Sequence, residues 1–155
     1  MSGNASSLID EREALTLLEA AAEARTRAYI PYSGFAVGAA LLDAEGGIHF
    51  GCNIENAAYG PTNCAERTAL FSAVAAGLPP RSFRAIAVTA DTAEPVTPCG
   101  TCRQVLAELC APDMPVVLGT IRGPWRMTTV AELLPGAFSS AQLDEDRARK
   151  GGDRP

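Results

Sequence analysis

The sequence predicts an α/β protein, a three-layer α/β/α sandwich around a mixed central sheet, and three observations predict it. Helical and strand-like segments alternate along the chain, which sets helices on the faces of a sheet. Residues 36–42 and 48–53 flank the turn Asp43-Ala44-Glu45-Gly46-Gly47 as a hairpin would. The run Ala85-Ile86-Ala87-Val88-Thr89 is almost continuously apolar, as a strand covered on both faces must be. At 155 residues the chain suits one domain. Residues 8–140 are expected to form it, with residues 1–7 and 141–155 disordered.

The elements follow in order. Residues 8–27 read as a helix: Leu8, Leu15, Leu18 and Ala22 recur near the helical period, with Glu11, Glu13, Glu19, Glu23 and Arg27 between them. Ser7 or Asp10 can cap it, and Pro31 bars its continuation. After the hairpin, residues 62–76 form an alanine-rich helix closed by Gly77. Residues 84–90 are a strand, 99–109 a helix entered after Pro98, 115–119 a short strand, and 129–134 a short helix before Pro135-Gly136. Alternation after the hairpin implies parallel strands. From about Asp144 the chain is polar and charged, without an apolar stripe.

Composition narrows the function classes. Hydrophobic residues make up 47% and charged residues 20%, ordinary for a globular protein. No apolar run reaches the roughly 20 residues of a membrane span, and residues 1–7 lack the pattern of a secretory signal, so a cytoplasmic protein is expected. The formal net charge of −5 opposes a polynucleotide partner, whose phosphates favour a basic face.

The chemistry is concentrated in Cys64-Ala65-Glu66 and Pro98-Cys99-Gly100-Thr101-Cys102. Five cysteines, an odd number, argue against a disulfide framework; Cys52 and Cys110 read as small buried residues. Cys64, Cys99 and Cys102 open two helices, where backbone N–H groups favour thiolates. Three thiolates can hold a zinc ion and leave its fourth position open. Such a centre is anionic, and Arg67, one turn after Cys64, can reach back to the sulfurs; Arg103 is a weaker candidate. Glu66 would diverge from Cys64 along a helix, but side chains of a first turn can converge on a ligand in front of the axis. A structural zinc site would need a fourth ligand, and His49, Cys52 and Cys110 lack the spacing for it.

Four blocks in order resemble the small zinc cytidine deaminases: Tyr32-Ser33-Gly34-Phe35-Ala36-Val37-Gly38-Ala39-Ala40-Leu41, Gly51-Cys52-Asn53-Ile54-Glu55-Asn56-Ala57-Ala58-Tyr59-Gly60, Cys64-Ala65-Glu66-Arg67-Thr68-Ala69 and Pro98-Cys99-Gly100-Thr101-Cys102-Arg103-Gln104. The likeness runs from about Leu15 to about Phe138. It implies a cytidine-deaminase-like fold and hydrolysis of free cytidine and 2′-deoxycytidine to uridine or deoxyuridine and ammonia, in pyrimidine salvage. It implies a zinc ion on Cys64, Cys99 and Cys102 that activates water, with Glu66 shuttling protons. By the same resemblance the Ala65 N–H and the Pro98 carbonyl hold the base, Phe35 walls it, and Asn53 and Glu55 bind the ribose. Tyr59 and Phe138 would come from a neighbouring subunit, making the enzyme a homotetramer with shared active sites. Pro61 and Asn63, before Cys64, depart from the pattern. The weaker readings are a blasticidin-S-type deaminase, a non-catalytic zinc module and a nucleic-acid editor.

Overall fold

The computed structural model describes residues 8–151. Its elements are α1 (Glu11–Arg25), β1 (Val37–Leu42), β2 (Ile48–Cys52), α2 (Ala65–Ala75), β3 (Ala85–Ala90), α3 (Gly100–Leu109), β4 (Pro115–Thr120), β5 (Trp125–Thr129), α4 (Val130–Leu133) and α5 (Ser140–Lys150). The strands form one sheet in the order β2-β1-β3-β4-β5. The sheet is mixed, as expected: β3 and β4, the predicted strands that follow the hairpin, pair in parallel, and the other three pairings are antiparallel.

Strand periodicity divides the core in two. Ala40, Leu42, Ala85, Ala87 and Val117 face α1, where they meet Ala14, Leu17 and Ala21. Ala39, Leu41, Ile86, Val88, Val116 and Leu118 face the other way, against Ala65, Ala69 and Leu70 of α2, Leu106 of α3 and Val130 and Leu133 of α4. The α1 face is lined with small residues because the helix lies close. A Cβ on Gly38 of β1 would stand 2.6 Å from the Arg25 nitrogen and would strike the Ala21 carbonyl.

This close approach corrects the expected face of α1. The buried residues are Ala14, Leu17, Ala21 and Ala24, one position out of phase with the predicted stripe, while Leu8 and Leu15 are 43% and 42% exposed. Alanines let the helix settle on the sheet around Leu17, while Leu8 and Leu15 are turned aside. The helix starts later than predicted because Asp10 caps it: Asp10 Oδ1 accepts from the Glu13 N–H and Glu13 Oε2 accepts from the Asp10 N–H.

Two further elements differ from expectation. β5 is an edge strand between the predicted strand and the last predicted helix. Residues 141–150 of the expected disordered tail belong to α5, a helix with no buried residue. Its support is local: Gln142 Oε1 accepts from the Ser139 N–H, and Asp146 pairs with Arg149 and Lys150. Residues 1–7 and 152–155, also predicted disordered, lie outside the described residues. Among the described residues no helix is long and apolar enough to cross a membrane.

Candidate metal centre

The two central helices begin beside each other on the same face of the sheet, and their starts carry the cysteines. Beyond β2 the chain enters a small ladder. Ile54 and Asn63 exchange backbone hydrogen bonds at 2.9 and 3.0 Å, and Tyr29 bonds to Asn53 and Glu55 on the other side. The ladder delivers Cys64 to the N-cap of α2. Asn63, which departs from the family pattern, also donates from Nδ2 to Thr68 Oγ1 at 3.1 Å and so braces the first turn. Cys99 is the N-cap of α3 and Cys102 lies in its first turn. Neither N-cap sulfur caps its own helix, so both remain free for another partner.

The sulfurs of Cys64, Cys99 and Cys102 all lie within 4.8 Å of one another, and those of Cys64 and Cys99 are 3.8 Å apart. Two sulfurs bound to one tetrahedral zinc ion stand about 3.8 Å apart, given Zn–S bonds of roughly 2.3 Å. The donor set therefore fits zinc. Among the described residues no other cysteine, histidine or carboxylate joins the group. His49 instead binds Asp43 Oδ2 through Nε2 at 2.8 Å, Cys110 is buried in the core, and Cys52 is half-buried on β2.

Glu66 is only 4% exposed, with Oε2 3.8 Å from the Cys102 sulfur. Burial pushes its carboxyl up to about 7, and the neighbouring Cys64 charge adds to the push. A hydrogen bond from Cys102, reinforced by Arg67 and Cys99, holds the Cys64 thiol down at about 5. Cys102 is raised by keeping the proton it shares with Cys64, and by burial. Arg67 Nη2 donates to the Cys64 sulfur at 3.3 Å, as its spacing predicts. Its buried Nε has no acceptor among the described residues.

The residues expected to bind substrate divide into two groups. Asn53 and Glu55 point to the same side of the chain, as their spacing requires, and both grip the loop before β1. Asn53 Oδ1 accepts from the Val37 N–H at 2.9 Å and Nδ2 donates to the Phe35 carbonyl at 2.7 Å. Glu55 Oε1 accepts from the N–H groups of Tyr32 and Ser33 at 3.0 and 3.1 Å. Hydrogen bonds from Ser33 and then Tyr32 hold its carboxyl below the usual range. Glu55 and Tyr59 line a cleft of about 260 Å³ with Tyr32, Ser33, Asn56 and Thr62. Tyr59 is 74% exposed and sits edge-on to Tyr32. Phe35 is also exposed, whereas Ala65 and Pro98 are fully buried. Phe138, 57% exposed, is not part of that cleft; it lines a separate hollow with Arg81, Leu134 and Pro135.

Sequence reasoning missed the part played by Arg103. It does not touch the sulfurs: its donors go to the Pro98 and Leu133 carbonyls and to Thr97 Oγ1. The backbone N–H groups of Tyr32 and Ser33 were equally out of reach, because no side chain signals them.

Comparison with known proteins agrees with this geometry. Residues 11–118 match the family model described as the cytidine and deoxycytidylate deaminase zinc-binding region. The chain is 59% identical over 127 residues to the cytidine deaminase of Sporosarcina psychrophila, spanning 82% of this chain and 92% of that protein. It is 56% identical over 129 residues to the cytidine deaminase of Halalkalibacterium halodurans, spanning 83% and 96%. The crystal structure of cytidine deaminase from Burkholderia pseudomallei superposes with a TM-score of 0.79 at 53% identity, covering 84% of this chain and 100% of that one. Cytidine deaminase from Mycobacterium tuberculosis gives 0.70 at 35% identity, covering 84% and 99%. A match across most of the chain, on a fold that gathers the three sulfurs, places this protein in the cytidine and deoxycytidylate deaminase family.

Proposed function

We propose that the protein hydrolyses free cytidine and 2′-deoxycytidine to uridine or deoxyuridine and ammonia. The observation that carries this reading is the buried Glu66 carboxyl beside a cluster of three sulfurs with no fourth protein ligand among the described residues. Cys64, Cys99 and Cys102 would hold zinc, which when bound supplies the Lewis acidity that makes water nucleophilic near neutral pH. Glu66 takes the proton that water gives up as its oxygen bonds to C4 of the base, and passes it to N3. Glu66 then moves the remaining proton from the new C4 hydroxyl to the amino nitrogen, so that the C4–N bond breaks as the C4 carbonyl forms and ammonia leaves. Burial suits Glu66 to this exchange, because it brings the two protonation states close in energy near neutrality.

The remaining residues orient the base and sugar. The Ala65 N–H and Pro98 carbonyl face the base, and Phe35 forms its wall. Glu55 spends Oε1 on the loop and keeps Oε2 for a ribose hydroxyl; Asn53 keeps one N–H. Arg67 offsets the thiolate charge. Tyr59 and Phe138, both exposed and on separate hollows of one subunit, complete the pockets of neighbouring copies in a homotetramer. The free cysteines suit a reducing cytoplasm. An ammonia-release assay on cytidine, with zinc measured on the same sample, tests the reading: stoichiometric uridine and ammonia are expected, and their absence from zinc-loaded protein would refute it.

A further inference from the structure

The segment that delivers Cys99 has little anchorage of its own. Among the described residues no backbone–backbone hydrogen bond ties residues 92–98 to the rest of the fold. Arg103 supplies the missing ties from the first turns of α3. Its Nε donates to the Pro98 carbonyl at 2.7 Å, Nη1 to the Leu133 carbonyl at 2.8 Å, and Nη2 to Thr97 Oγ1 at 2.9 Å. Leu133 is a core residue at the end of α4, so one planar guanidinium references the segment to the packed interior. Charge assistance makes such hydrogen bonds stronger than neutral ones, and the rigid fork fixes direction as well as distance.

We propose that Arg103 is a positioning residue for deamination: it fixes the Pro98 carbonyl, one peptide from the ligand Cys99, so that the carbonyl's second lone pair can accept the substrate's amino group. A carbonyl oxygen accepts two hydrogen bonds, and Arg103 occupies one. This rests on the deaminase reading above. It separates Arg103 from Arg67, which acts on the sulfurs directly. Lysine retains the charge but not the function, because a point ammonium on a flexible stem cannot hold three separate acceptors.

The test compares wild type, Arg103→Ala, Arg103→Lys and Arg122→Ala. The last cuts an exposed ion pair to Asp91 at the far end of the same segment and is expected to match wild type. Each is assayed for zinc content, for kcat and KM on cytidine, and for inhibition by uridine, which carries oxygen in place of the amino group. Arg103→Ala is expected to keep its zinc and lose about 100-fold in kcat/KM, the scale of a misplacement near 1 Å. Its uridine inhibition should stay within about threefold of wild type, a difference under 1 kcal/mol. Arg103→Lys should remain at least about tenfold impaired. Wild-type kcat/KM in Arg103→Ala, full rescue by lysine, or equal weakening of cytidine and uridine would each overturn the proposal. If Arg103→Ala does not fold or binds no zinc, Arg103→Lys and Thr97→Val decide. Thr97→Val removes one acceptor and should lose about threefold on cytidine alone; no loss, or a loss shared with uridine, overturns the proposal. A zinc-loaded wild type that releases no ammonia from cytidine would instead sink the deaminase reading.

Discussion

Gly51→Ala places one methyl group between β2 and α2, and the structure gives the size of the conflict. The new Cβ would lie 2.6 Å from the Ala69 nitrogen and 2.9 Å from the Ala69 Cβ, and would strike the Ala65 carbonyl. Ordinary contact distances are about 3.5–4.0 Å, so relief requires roughly 1 Å of movement. The atoms in the way are helix backbone, and α2 must move as a body. Its first turn carries Cys64 and Glu66, while Cys99 and Cys102 stay with α3. Overpacking of this kind costs about 1–3 kcal/mol, offset by up to about 1 kcal/mol from a stiffer unfolded chain. For a chain of this size each 1 kcal/mol lowers Tm by about 2–4 °C. A shift near 1 Å across the metal ligands should lower kcat/KM about 100-fold. The assay is thermal unfolding of zinc-loaded protein together with steady-state deamination. Gly60→Ala is the control for stability, since its Cβ would meet nothing closer than 3.9 Å. A Gly51→Ala variant with wild-type Tm and wild-type kcat/KM would refute the claim that this contact sets the register of α2 and hence the site.

Three further outcomes follow from the same geometry. Removing zinc with a chelator should abolish activity and lower Tm, with both restored on adding the metal back; at a hundredfold excess over Kd the ligand contributes about 2.7 kcal/mol. In the metal-free protein, alkylation at pH 7 should label Cys64, held down at about 5, ahead of Cys110, which burial pushes up to about 12; peptide mass mapping reads the order. The thiolate form of Cys64 disappears as pH falls through about 5, so its labelling should slow there while Cys110 stays silent throughout. Leu17→Ala should cost about 2–5 kcal/mol in a denaturant titration, whereas the exposed Leu15→Ala should cost under about 0.5 kcal/mol; equal losses would put the α1 face back where its leucines first suggest.

What the sequence discloses about this site is what covalent spacing controls. Cys99 and Cys102 are three apart at a helix start, so their convergence with each other follows from helix geometry alone. Their meeting with Cys64 depends on the packing of α2 against α3, which the four matching blocks imply and periodicity does not. Asn53 and Glu55 show the limit sharply: their spacing places both on one side, yet the partners they hold are backbone groups of Phe35, Val37, Tyr32 and Ser33, which no side-chain pattern announces. Arg103 is the same case, since two of its three acceptors are carbonyls. In the fold, the phase of α1 is misread because leucines outweigh alanines in any hydrophobic count, although close approach favours the smaller residue. β5 escapes notice because Trp125-Arg126-Met127-Thr128-Thr129 sits at a sheet edge, half-buried and weakly alternating. α5 reads as disorder because its stability comes from a cap and ion pairs along its surface rather than from an apolar stripe.

The proposed chemistry requires Glu66 to carry protons beside a metal that it does not bind. Glu66→Gln keeps the size of the side chain and removes its basicity, so zinc content and deamination measured on one preparation separate the two roles. Zinc equal to wild type is expected, with kcat for cytidine lower by about 10²–10⁴-fold. Full activity in that variant, or loss of the zinc along with the activity, would contradict it.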